Sequence, residues 1–189
     1  MNTPAHLILA AAIYAEPGQN RRNAAALAGG FAPDLSLYLL VAGALAAGYS
    51  PRTVFGTLYD SAAWQAVFAV DNSVFVWGAG LAAALAFRAP AAAVFCGAAL
   101  LHIALDLPLH HDDGRPHFWP LTTWVFESPV SYWDPRAHGR LVGALESAGC
   151  LLLLALLWRR FPGRAARMAL ALAAVALAAP MILFGFMFG

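Results

Sequence analysis

His102 and Asp106 stand four residues apart in Leu100-Leu101-His102-Ile103-Ala104-Leu105-Asp106, at the end of an apolar run. On a helix that spacing projects both side chains from one face, one turn apart. An imidazole nitrogen and a carboxylate so placed can close on one divalent cation. Pro108 cannot donate to the helical ladder and ends or kinks the helix there. His110 and His111 then fold back towards the same place, while Asp112, Asp113 and Gly114 read as a solvated turn. Histidine with carboxylate suits Zn²⁺, Mn²⁺ or Fe²⁺ better than Ca²⁺, which prefers oxygen alone. With an open position, such a metal lowers the pKa of a bound water towards about 7, which supports hydrolysis. No Gly-x-Ser-x-Gly elbow, Walker-type glycine loop or dinucleotide fingerprint competes with this chemistry.

The elements that must position these groups are membrane helices. The chain of 189 residues is 61% hydrophobic and 11% charged, against about 25% charged in soluble domains. No polar surface is large enough to wrap a soluble core, and the expected fold is all-α: a polytopic membrane bundle forming a single domain over 1–189. A net charge of +1 without a basic stripe excludes nucleic acid as a partner. Cys96 and Cys150 lie inside apolar runs and read as small buried hydrophobes. No basic residue precedes the first apolar stretch and no small-x-small site follows it, so no cleaved signal peptide is expected.

Residues 7–15 are apolar but short of the about 20 needed to span, and predict a short helix docked on the bundle with His6 at its start. Five spans are expected, at 24–48, 62–87, 91–107, 141–158 and 168–188, with Pro180 kinking the last. Gly29-Gly30-Phe31-Ala32-Pro33-Asp34 predicts a break in the first span, with Asp34 capping the next helix. Asp71-Asn72-Ser73 interrupts the second. Residues 49–61 read as a connecting loop. The segment 110–140 carries Phe118, Trp119, Trp124, Phe126, Tyr132 and Trp133; such rings favour the headgroup level, so it should cap the bundle at the membrane surface. His117 and His138 within it read as surface residues. Arg159, Arg160, Arg164 and Arg167 lie between the last two spans and make that loop cytoplasmic. Arg88, Arg21 and Arg22 then fall on the same side, and the aromatic segment faces outwards.

At 1.5 Å per residue, Asp34 lies about 15 Å from the cytoplasmic end of its run, Asp71 about 14 Å and Glu146 about 8 Å from the outer ends of theirs, and His102 about 10 Å. Four spans thus place an acid or imidazole in the outer half of the bilayer. Each costs about 2.5–3.5 kcal/mol on insertion scales, and no lysine or arginine lies deep enough to pair with them. One bound cation would compensate several. Without it, His102 and Asp106 would form a hydrogen-bonded contact between helices, and Glu146 would pair with Arg140 or a histidine.

The order His6, Pro33-Asp34, His102-x-x-x-Asp106, further histidines and His117-Phe118-Trp119-Pro120 resembles the bacterial inner-membrane family of predicted metal-dependent hydrolases related to YdjM. That family's metal site is thought to be shared with zinc-dependent phospholipase C. The resemblance runs from His6 to about Pro120. It implies His6, Asp34, His102 and Asp106 as metal ligands, with His110 or His111 as a further ligand or proton carrier. The Thr-His-Ser element of such relatives is replaced here by Asp71-Asn72-Ser73, with Asp71 the candidate ligand in its place; the number of metals is left open. The expected function is a multi-pass inner-membrane hydrolase using a divalent metal, zinc first, on a membrane lipid or lipid-linked phosphoester at the outer leaflet. A non-enzymatic subunit docking a membrane protein partner is the alternative, and an ion or proton pathway a third.

Overall fold

The computed structural model describes residues 1–188, with side chains over 1–178. Helices α1 (Thr3–Tyr14) and α2 (Asn20–Ala46) form the first hairpin. The Asn2 side chain accepts the Ala5 N–H and Pro4 occupies the first turn, a standard helix start. At the other end Arg22 Nε–H donates to the Tyr14 carbonyl at 2.6 Å, holding the turn closed.

The break expected at residues 29–34 does not exist: α2 runs through it with Pro33 inside. The glycines serve close approach instead. A Cβ on Gly29 would lie 2.1 Å from the Phe95 carbonyl oxygen, and one on Gly30 would lie 2.8 Å from Ala10 Cβ. Asp34 is therefore a mid-helix residue, not a cap. The Pro33 carbonyl accepts from Asn72 Nδ2 at 3.4 Å.

After Gly48, in the left-handed region at φ +89, the expected loop is folded. Ser50 caps the single turn α3 (Pro51–Thr53), which runs into a π-helical turn at Val54–Leu58. Val54, Trp64 and Phe68 pack there on Leu37, Leu40, Val41 and Ala44 of α2. Helices α4 (Ala62–Asp71) and α5 (Val74–Ala86) are split at Asn72-Ser73, where Ser73 Oγ accepts the Phe75 and Val76 N–H groups. Then come α6 (Pro90–Asp106), a 3-10 turn at Pro135–Ala137, α7 (Gly139–Arg160) and α8 (Arg164–Phe188).

The fold is all-helical over the described residues. Among the described residues, three helical stretches are long and apolar enough to cross a membrane: Asn20–Ala46, Ala62–Ala86 and Gly139–Arg160. Thr3–Tyr14 and Pro90–Asp106 are shorter apolar helices. The kink expected at Pro180 lies outside the residues described with side chains. Cys96 and Cys150 are free and buried, the latter with Ala5, Ile8, Leu154, Leu157 and Leu177 where α1 meets α7 and α8.

One level of the bundle collects the polar groups. Arg160 Nη1 donates to the Ala12 and Ala15 carbonyls, so the ends of α1 and α7 meet at the arginine-rich end. Counting from there at 1.5 Å per residue, Asn2, Asp34, Asp106 and Glu146 all stand about 20–24 Å up. A hydrocarbon core is about 30 Å thick. Above that level α1 and α6 have stopped, and residues 107–138 fill the space.

Candidate metal centre

His6, His102 and Asp106 are buried, with 2, 1 and 7% exposure, and each offers a ligand atom within 4.8 Å of the others. The His6 and His102 rings stack at 3.5 Å between centroids, 7° from parallel. His6 Nε2 lies 2.9 Å from Asp106 Oδ1, and His102 Nε2 lies 3.1 Å from Asp106 Oδ2. The one-face placement of His102 and Asp106 is thus realised on α6. Close contact of α1 with α2 at Gly30 delivers His6 from the opposite side.

The tautomer of His102 follows from its other nitrogen. Nδ1 is 2.8 Å from the Gly30 carbonyl, which only accepts, so Nδ1 carries the proton. In the neutral ring Nε2 then presents a lone pair to Asp106 Oδ2 and, at 3.6 Å, to Asp34 Oδ1. That atom has no hydrogen-bond partner among the described residues, nor has Nδ1 of His6. A buried lone pair aimed at carboxylate oxygens is repulsive unless a cation lies between them. An imidazole held by a carbonyl on one nitrogen and open on the other is the usual posture of a metal-bound histidine.

Asp34 closes one side of the cluster. Its Oδ2 accepts from Thr3 Oγ1 at 2.6 Å, and Thr3 Oγ1 accepts in turn from the Tyr38 hydroxyl at 2.9 Å. Asp34 is 20% exposed at its side chain and Tyr38 49% exposed, so this chain of bonds leads to an exposed flank between α1 and α2. His110 closes the top, with Nε2 3.3 Å from Asp106 Oδ1 and Nδ1 3.0 Å from Asp113 Oδ1. Burial weighs against charging His110, but Asp106 and Asp113 outweigh it and raise its pKa above the ordinary imidazole value. A site rich in acid answers a shortage of positive charge in this way. The α-ammonium of Met1 supplies some, 2.6 Å from Asp106 Oδ1 and 3.3 Å from His110 Nε2. Glu146 binds the Asn2 amide through Oε1, not Arg140 or a histidine, and its buried Oε2 has no partner among the described residues.

Two expected site residues stand elsewhere. Asp71 makes no ion pair with the cluster; its carbonyl accepts Trp77 Nε1–H at 2.6 Å, where α4 ends. Nor does Asn72-Ser73 face a metal. Asn72 binds the Phe68 and Pro33 carbonyls, and Ser73 Oγ binds the Trp119 carbonyl. His111 turns away from the centre, with Nδ1 2.6 Å from the Ser128 carbonyl. His117, expected at the surface, is 4% exposed and reaches the Asn72 carbonyl through Nδ1; burial pulls its pKa down. His138 is exposed, as expected.

Sequence reasoning missed Asp113, the Gly30 carbonyl and the Met1 ammonium. Only Asp113 carried a signal, its three-residue spacing from His110. Comparison with protein-family models, with curated proteins and with solved structures finds no match for this chain.

Proposed function

We propose that this chain is a membrane-embedded metal-dependent hydrolase, acting at the outer leaflet on a lipid-linked or phosphoester substrate and related to the YdjM-like family. The observation that carries the reading is the buried Nε2 of His102, its proton placed on the other nitrogen by Gly30 and its lone pair aimed at two carboxylates. The donor set of imidazole nitrogens and carboxylate oxygens fits Zn²⁺, with Mn²⁺ or Fe²⁺ as substitutes. His6, His102 and Asp106 would hold the metal, with Asp34 the ligand on the accessible side. When bound, such a metal supplies hydroxide near neutral pH by acidifying a water.

The chain's own residues do the rest. Gly30 and the stacked His6 ring fix the plane of His102, and Thr3 fixes the rotamer of Asp34. Residues 107–138 exclude water from above. The flank at Thr3 and Tyr38 opens towards lipid, which supports a substrate that arrives through the bilayer. Purified full-length protein is expected to retain zinc and to hydrolyse phospholipid in vesicles. His102→Ala and Asp106→Ala should lose both properties; variants that keep metal and turnover would overturn the reading.

A second reading rests on the contacts within the cluster, His6 Nε2 to Asp106 Oδ1 at 2.9 Å and His102 Nε2 to Asp106 Oδ2 at 3.1 Å. There the cluster is a hydrogen-bonded contact between helices in a non-enzymatic subunit of a larger membrane assembly. Metal-free protein that purifies with a partner would favour it.

A further inference from the structure

A third imidazole meets Asp106 from the roof, and what holds it is a carboxylate from the turn read as merely solvated. His110 Nδ1 and Asp113 Oδ1 are 3.0 Å apart. Neither atom has a hydrogen-bond partner elsewhere among the described residues, and both are buried. Buried polar atoms at that separation with no alternative serve one another. Asp113 is acceptor-only when ionised, so the proton between them belongs to His110 Nδ1. The second carboxylate oxygen of Asp113 is also committed: Oδ2 accepts the Trp133 indole N–H at 2.9 Å.

In the neutral ring, with its proton on Nδ1, His110 presents the Nε2 lone pair to the centre, 3.3 Å from Asp106 Oδ1 and 3.3 Å from the Met1 ammonium. The pose is that of His102 with a carboxylate in place of the Gly30 carbonyl, except that the His102 Nε2 has no hydrogen-bond partner among the described residues. We infer that Asp113, itself fixed by the Trp133 indole, is the positioning residue that aims the His110 ring at the metal centre, through a chain Trp133–Asp113–His110 that comes entirely from the roof. The inference rests on the metal-centre reading and extends it: the roof supplies the imidazole and the partner that orients it.

Outer carboxylates of this kind change metal affinity by about 10–100-fold. Zn²⁺ alone, titrated into the full-length protein in detergent against a competing chelator, is the probe. Asp113→Asn should weaken Zn²⁺ within that range, Asp113→Glu should recover part of the loss, and Trp133→Phe should cost less than Asp113→Asn. Asp112→Asn removes a neighbouring, exposed carboxylate that pairs with Arg136 and should leave affinity unchanged. Equal Zn²⁺ affinity in wild type and Asp113→Asn would overturn this inference and leave the centre standing. Equal loss in Asp112→Asn and Asp113→Asn would overturn it too, since general charge would then explain the effect. Wild-type protein that does not bind Zn²⁺ would overturn the centre itself.

Discussion

The helical wall and the roof present imidazoles to the same carboxylate by unlike means. In the wall, His102 is aimed by a backbone carbonyl of α2, and α2 is set against α6 and α1 at Gly29 and Gly30, where there is no space for one methyl group. In the roof, His110 is aimed by a side chain, and the chain around it is held by hydrogen bonds. Ser128 Oγ donates to the Pro108 carbonyl at 2.6 Å, Ser128 N–H donates to the His110 carbonyl, and Tyr132 N–H donates to the Leu109 carbonyl. Close packing cannot yield without moving whole helices, whereas losing one hydrogen bond between protein groups costs about 0.5–1.5 kcal/mol net. The wall is built to stay.

The comparison breaks most readily at the wall. Gly29→Ala sets a Cβ 2.1 Å from a backbone oxygen, so the cost should reach or exceed the about 1–3 kcal/mol of ordinary overpacking. Thermal unfolding in detergent should record a large loss of stability, with zinc lost as well; an unperturbed melting curve would remove the basis of the wall. His102→Ala should reduce zinc affinity by more than the about 100-fold expected of any outer partner, with little change in stability. Chelator competition beside the melting curve separates the two effects, and a loss no larger than that of Asp113→Asn would equate wall and roof.

Ser128→Ala sharpens the contrast on the other side. It removes the donor that Ser128 gives the Pro108 carbonyl, a loss of about 0.5–1.5 kcal/mol that should be local to the roof. Hydrogen exchange should rise over 107–138 and stay unchanged in α2 and α6; exchange rising in both would make them one cooperative unit.

The smallest effect concerns pH. The bond from the Arg136 guanidinium, with the Arg136 backbone N–H, holds the Asp134 carboxyl below its ordinary value. A depressed folded-state pKa stabilises fully above the unfolded value, about 3.9, and that stabilisation is lost as pH falls through the folded value. The turn at Pro135–Ala137 should therefore be indifferent to pH around neutrality and loosen only in acid. Fluorescence of the Trp133 region followed against pH checks this, and an onset near pH 6 would assign the turn to a histidine instead.

Much of the centre was legible because it is local. His102 and Asp106 are one turn apart on one helix, and that spacing alone predicts their convergence. The low charge and long apolar runs made the class of protein plain. Asp34 was reachable because an ionisable group deep in an apolar run needs a polar partner, and His6 only through the order of motifs that carries the resemblance. The misreadings share one cause. Gly29-Gly30-Phe31-Ala32-Pro33 reads equally as a break or as a seam where helices touch, since glycine and proline report what a backbone tolerates and not why. Asp71 met the same depth argument as Asp34, but depth along a helix does not say which face it shares.

The residues by themselves determined that this chain is helical, membrane-inserted and short of positive charge where its acids gather. Only the tertiary structure decided which of those acids meet. His6 and Asp106 are separated by 100 residues of chain, and no periodicity spans that distance. Their meeting depends on α1 and α6 stopping at one level, on a glycine seam that admits both, and on a roof that brings His110 and Asp113 down over them.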